Sequence, residues 1–308
     1  MNDTKAAIWR RIFAACLLFI IALFLFHAWY YRHYTNDDAY ITFRYSRNLV
    51  EGMGPFYNPG EHVEGYTNFS LMLVLALVIR LLGAAAAPAA AKLIGVACGA
   101  ASVLMTALLY RRLFPPKPHS EQEHLAAFGA CTAAGIVALS PAFALNSTSG
   151  LETAMFSFLL VAAVFTSITE TQRSTWLGSG FLFGAALLTR PEGSYLFAVY
   201  WTAQALTTVI DTFRMKREKM STSPVKLLYA SKQIRMLIFN ALIVTGIFLA
   251  HLAFRWWAYD GEWLPNTYYA KLGGSGKKLA LLYTYRGLLF PALGYPGAVI
   301  ACAGYIWR

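Results

Sequence analysis

Two adjacent carboxylates, Asp37 and Asp38, stand just beyond the apolar run 12–31 and open the stretch Asp37-Asp38-Ala39-Tyr40-Ile41-Thr42-Phe43-Arg44-Tyr45. Side by side and next to lipid, two carboxylates can raise the proton affinity of one of them, as a general base acting on a sugar hydroxyl requires. The same pair also suits helix capping, since Thr35 or Asn36 can cap and the acids then fall in the first turn. Gly52 is placed for the C-terminal stop, so a short helix along the membrane surface is expected. Ile41, Tyr45 and Asn48 fall on one side of it and Phe43, Arg47 and Val50 on another.

Four further clusters carry polar chemistry. Glu64-Gly65-Tyr66-Thr67-Asn68 follows an Asn58-Pro59-Gly60 turn and offers a carboxylate, an aromatic platform and an amide, or else an interfacial anchor. His62 lacks a second histidine at ligand spacing. Ser149-Gly150-Leu151-Glu152-Thr153 follows Ser140-Pro141 and puts Glu152 at a helix start, where capping competes with a polar-site role. Thr189-Arg190-Pro191-Glu192-Gly193 sets opposite charges and a helix breaker among apolar residues, an arrangement that normally faces protein or a water-filled cavity. Trp263-Leu264-Pro265-Asn266-Thr267-Tyr268-Tyr269-Ala270-Lys271 ends in a lysine that suits a lipid phosphate or a plain juxtamembrane charge.

The elements that must position these residues are membrane helices. With 57% hydrophobic and 13% charged residues among 308, a soluble globule, a disordered chain, collagen and a coiled coil are all excluded. The net charge of +11 sits largely in short stretches flanking apolar spans, where it sets orientation rather than binding nucleic acid. Cys16, Cys98, Cys131 and Cys302 lie in apolar runs as packing residues. Apolar stretches at 12–31, 69–87, 89–110, 125–145, 152–169, 236–257 and 286–306, with a pair in 176–210 broken at Arg190-Pro191, predict an all-α polytopic bundle of eight or nine membrane helices. The first reads as an uncleaved span with Lys5, Arg10 and Arg11 inside. Residues 32–68 and 258–278 become external loops, and the basic stretch 211–235 a cytoplasmic one. Arg111-Arg112 also belongs on the cytoplasmic side, which two crossings between 69 and 110 would forbid. The segment 69–87, with Arg80 inside it, is therefore expected to lie at the interface or re-enter rather than cross. The whole reads as one transmembrane domain, 1–308, and the end at Trp307-Arg308 directly after an apolar span predicts a further C-terminal portion.

Taken together and in this order, the five motifs resemble those of GT-C glycosyltransferases, and most of all the actinobacterial terminal arabinofuranosyltransferases and their bacterial relatives, from the first span to Lys271. The resemblance implies a polyprenyl-phosphate-linked sugar donor, possibly arabinofuranose, and a cell-envelope glycan or glycolipid acceptor. It also implies inverting transfer at the periplasmic or outer face of a bacterial inner membrane. By it Asp37 is the base and Asp38 positions acceptor or metal. Arg44, Glu64, Tyr66, Asn68, Glu152, Arg190, Glu192, Asn266, Tyr268 and Lys271 bind substrate, Lys271 being favoured for the leaving phosphate. No cofactor is assigned with certainty, and a divalent cation (Mg, Mn or Ca) near Asp37, Asp38 and Glu64 fits the same pattern. Relatives are longer, and they commonly carry Asp at the position of Glu192. A transporter or flippase, drawing on Arg80, Arg190, Glu192 and Arg255, and a noncatalytic accessory subunit are the competing readings.

Overall fold

The structure is a computed structural model that describes residues 3–116, 122–173, 178–217 and 224–266. Every regular element among them is helical: α1 (Asp3–Tyr30), α2 (Ala39–Val50), α3 (Phe69–Leu82), a 3-10 turn (Ala84–Ala86), α4 (Ala87–Leu113), α5 (Glu123–Ala138), α6 (Pro141–Thr148), α7 (Thr153–Arg173), α8 (Gly178–Thr189), α9 (Glu192–Arg217) and α10 (Pro224–Ala258). Among the described residues four helices are long and apolar enough to cross a membrane: α1, α4 with its 3-10 lead-in, α7 and α10. The bent pair α5–α6 makes a fifth if it counts as one span. The expected eight or nine spans are thus not supported: the described residues supply four or five. At 12 residues, α8 rises only about 18 Å against about 30 Å of hydrocarbon. Gln204 and Asp211 keep α9 too polar. The stretch 286–306 lies outside the described residues.

The stretch 69–87 holds a helix too short to count among the spanning ones. The 14-residue α3 lies along α2: Ser46 Oγ donates to the Met72 carbonyl at 2.9 Å, and Phe43 and Ala39 of α2 share a core with Leu71, Leu75 and Ile79 of α3. Gly83, at φ +88°, reverses the chain into α4. As a result α4 begins where α1 ends, with Lys92 Nζ donating to the Arg32 carbonyl at 2.8 Å. It finishes where α1 begins, with the Arg111 guanidinium over the Phe13 ring at 4.6 Å. The end of the bundle that carries residues 31–68 is called the loop end below.

Hydrophobicity gives little reason for helices to associate inside lipid, so small residues and polar contacts govern the packing. Ala130, Ala134 and Ala138 form an i, i+4 stripe on α5 in the same buried cluster as Val103 and Ala107 of α4 and Phe24 of α1. On α4, a Cβ at Gly95 would stand 2.2 Å from the Ser147 carbonyl oxygen of α6, and one at Gly99 2.4 Å from Phe24. Only glycine permits those approaches. The stretch 125–145, expected as one straight span, bends by 58° between α5 and α6. There Ser140 Oγ accepts the Phe143 amide and Pro141 opens α6. The basic stretch 211–235 is mostly helix rather than loop, because α9 continues to Arg217 and α10 starts at Pro224. Further along α7 from the loop end, Glu170 accepts the Gly178 and Ser179 amides of α8 at 2.7 and 3.2 Å, while Asn240 of α10 donates to Ser179 Oγ at 3.0 Å. A buried carboxylate thus satisfies the otherwise orphaned start of α8.

Candidate active site

The expected short helix exists as α2, and its stop at Gly52, φ +81°, is where the sequence puts it. Its start is capped by Asn36, whose Oδ1 accepts the Asp38 amide at 2.9 Å and whose carbonyl accepts the Ala39 amide. Asp38 makes no side-chain cap. The buried face is Ala39, Thr42, Phe43, Tyr45, Ser46 and Asn48, not either of the two sides expected from apolar spacing. Four of those six residues carry hydrogen-bonding side chains. Thr42, Ser46 and Asn48 bond across to Asn68, Met72 and Phe56, and hydrophobic periodicity alone cannot detect such a face.

Asp37 and Asp38 are exposed. Among the described residues the only hydrogen bond to either carboxylate is that of Asp37 Oδ1 with the Asp38 amide, at 3.0 Å. Their turn is nonetheless fixed. The Asn36 amide donates to the Ser149 carbonyl at 2.9 Å, and Gly150, at φ +82°, packs so closely that a Cβ there would lie 3.1 Å from the Ala39 Cβ. The loop before α7 therefore seats the acid pair.

From that contact a polar chain runs inward. Glu152, expected either to cap α7 or to join a site, does the latter: Asn68 Nδ2 donates to its Oε2 at 2.9 Å, and Arg190 Nη1 lies 3.5 Å from its Oε1. Asn68 also donates to Thr42 Oγ1 at 3.0 Å, and Arg190 Nη2 donates to Glu192 Oε1 at 3.1 Å. Thr42, Asn68 and Glu152 are buried, whereas Arg190 is partly exposed and Glu192 exposed. The helix break at Arg190-Pro191 is what brings the guanidinium to Glu152. Four separated stretches of sequence thus meet in one network that includes Asn68, Glu152, Arg190 and Glu192.

Glu64 and Tyr66 behave otherwise. Both are buried and face the end of α10. Arg255 Nη2 donates to Glu64 Oε1 at 3.1 Å, and its Nε lies 2.9 Å from Oε2 without hydrogen-bond alignment, so only one arm of the fork is made. Burial pushes the Glu64 carboxyl up to about 7, against the opposing charge and hydrogen bond of Arg255. The Tyr66 hydroxyl pairs with that of Tyr259 at 3.1 Å, and burial raises both phenols. His62 Nδ1 lies 3.0 Å from Asp260 Oδ1, and the Asn266 amide donates to the Glu64 carbonyl at 2.9 Å. Asn266 thus serves through its backbone. Tyr268 and Lys271 lie outside the described residues. Arg255 went unrecognised as a site partner because 191 residues separate it from Glu64. An arginine in the last turn of an apolar helix was the available signal.

Arg44 is held by the Tyr57 carbonyl and Asn58 Oδ1, both at 2.9 Å, with its guanidinium over the Tyr57 ring. Together with Arg47 it borders a groove of about 500 Å³ between α2 and the start of α4, floored by Phe43, Ile79, Ala87 and Pro88. Because Glu64 is committed to Arg255, a cation on this loop would draw its carboxylates from Asp37 and Asp38. No three His, Cys, Asp or Glu side chains gather as a metal group among the described residues. No family model matches the chain, and comparison with curated proteins and with solved structures finds no match either.

Proposed function

We propose that the chain is a GT-C-type membrane glycosyltransferase that moves a sugar from a polyprenyl-phosphate carrier to a cell-envelope glycan or glycolipid, with Asp37 as general base. The observation that carries this reading is the convergence of Thr42, Asn68, Glu152, Arg190 and Glu192 into one chain of contacts, with the exposed Asp37-Asp38 turn pinned beside it through Ser149 and Gly150. In the reaction Asp37 takes the proton of an acceptor hydroxyl as its oxygen bonds to the anomeric carbon. The bond from that carbon to the phosphate oxygen breaks on the opposite face, inverting the centre. Polyprenyl phosphate leaves as an anion and needs no general acid. Asp38 orients the acceptor, while the Glu152–Arg190 network holds the sugar's hydroxyls. The groove beside Arg44 and Arg47 suits the lipid phosphate, with Arg44 the cation that has no carboxylate partner among the described residues, since Arg47 is paired with Glu51 at 2.7 Å. Arabinofuranose is the sugar that the resemblance implies.

Orientation follows from charge. Arg10, Arg11, Arg111 and Arg112 all lie at the end opposite the loops, so the loop end belongs on the periplasmic or outer face of a bacterial inner membrane. The test is transfer of radiolabelled sugar from a panel of polyprenyl-phosphate donors, in membranes holding wild type or Asp37→Asn at matched levels. Transfer should fall roughly 10²- to 10⁴-fold in the variant. Unchanged transfer would remove Asp37 from the base role, and no transfer with any donor would favour a noncatalytic accessory subunit.

A further inference from the structure

The seam between α1 and α4 carries a second groove, of about 290 Å³, that shares no residue with the Glu152–Arg190 network. Leu25, Ala28 and Trp29 wall it on α1, and Leu93 and Val96 on α4. Two cations, Arg32 and Lys92, stand at its loop end. The Arg32 guanidinium lies 4.2 Å from the centre of the Trp29 ring and donates to the Trp29 carbonyl at 3.0 Å, while Lys92 donates to the Arg32 carbonyl at 2.8 Å. Neutral acceptors therefore fix both cations, and among the described residues neither is paired with a carboxylate.

Uncompensated positive charge where a span meets the headgroup layer, directly above an apolar trough open to lipid, complements one kind of molecule. We propose that this groove binds an anionic bilayer phospholipid, its phosphodiester against Arg32 and Lys92 and one acyl chain laid between α1 and α4. The seven residue steps from Leu25 to Arg32 give the trough a length of about 10 Å, enough for the upper part of a chain. Glu152 and Arg190 sit at the ends of α7 and α8 instead, so the lipid here is a brace between the first helix and the bundle rather than a reactant. The inference does not depend on the proposed glycosyl transfer.

Native mass spectrometry of the full chain, offered equal amounts of phosphatidylglycerol and phosphatidylcholine, tests it. Wild type should retain the anionic lipid roughly tenfold better, from the attraction of two headgroup-level cations. Arg32→Gln with Lys92→Gln should bring the ratio near one. Leu93→Trp, which leaves both cations and the Lys92–Arg32 hydrogen bond in place, should lower retention of both lipids and guards against misfolding of the charge variant. Excess inorganic phosphate should displace nothing. Equal retention of the two lipids by wild type, a preference that survives all the substitutions, or displacement of phosphatidylglycerol by equimolar polyprenyl phosphate would each overturn the proposal.

Discussion

Two carboxylates at the loop end each face an arginine, yet the pairs are built for different purposes. Glu64 and Arg255 have side chains only 2% and 8% exposed, and they tie the second half of the first loop to the end of α10. Glu152 is 10% exposed, but its Arg190 is 34% exposed and passes on to Glu192, which faces solvent. The first pair is a sealed clamp and the second a graded path from the interior to the surface beside Asp37. The residue types are the same. What differs is whether the guanidinium can still reach water, and therefore whether the pair can rearrange around a polar substrate or only hold the fold.

Removing one arginine at a time should expose that difference most strongly. Arg255→Leu strands a buried carboxylate, a loss of about 3–5 kcal/mol in comparable buried pairs. Arg190→Leu, at a partly exposed pair, should lower stability by about 1 kcal/mol or less. Thermal unfolding of both variants in lipid nanodiscs measures the contrast, and equal losses would break it. Glu64→Leu combined with Arg255→Leu should recover much of the single-variant loss, since an apolar pair of similar volume avoids desolvating two charges.

The clamp also carries its own pH dependence. Burial lifts the Glu64 carboxyl from 4.5 to about 7 in the folded chain. Between those values the folded state holds a proton that the unfolded chain has released. Stability from this group is therefore complete below about pH 4.5 and is lost as pH rises to about 7. The difference in melting temperature between wild type and Glu64→Gln, followed from pH 4 to 8.5, should shift against wild type across that window and stay level above it. A difference independent of pH would mean that Arg255 holds Glu64 ionised throughout.

Much of the open path was legible in the sequence, and almost none of the clamp. Arg190, Glu192 and Glu152 stand out as charges amid apolar residues next to a proline or a helix start, and such groups need partners wherever they are buried. Charge counting around Arg111 set 69–87 apart from the spans, and α3, at 14 residues, is shorter than the spanning helices. Glu64, by contrast, sits in a polar loop that reads as exposed, and its burial depends on Arg255 arriving from a distant helix. The polar buried face of α2 was hidden for the same reason: Thr42, Ser46 and Asn48 are buried because Asn68, Met72 and Phe56 satisfy them. Local pattern records apolar spacing, whereas burial of a polar group is decided by what meets it from elsewhere. The 58° bend before α6 had a local signal in Ser140-Pro141, whereas the close seat that Gly95 gives Ser147 had none.

An effect smaller than that of the clamp is expected where path and fold join. Asn68 gives its amide both to Glu152, at 2.9 Å, and to Thr42, at 3.0 Å, so Asn68→Ala leaves a buried carboxylate oxygen and a buried hydroxyl short of a partner. The loss should be about 1–3 kcal/mol, below that of Arg255→Leu because Arg190 still neutralises Glu152. If the network also orients the sugar, transfer should fall further than this loss of folded protein explains, with the change in KM larger than that in kcat. Asn68→Asp sharpens the test. It keeps the size and the contact with Thr42 but sets a second carboxylate against Glu152, and should be worse than alanine on both counts. Were aspartate tolerated and alanine not, the amide would be acting as a spacer, and the path from Thr42 to Arg190 would be packing rather than a continuous polar relay.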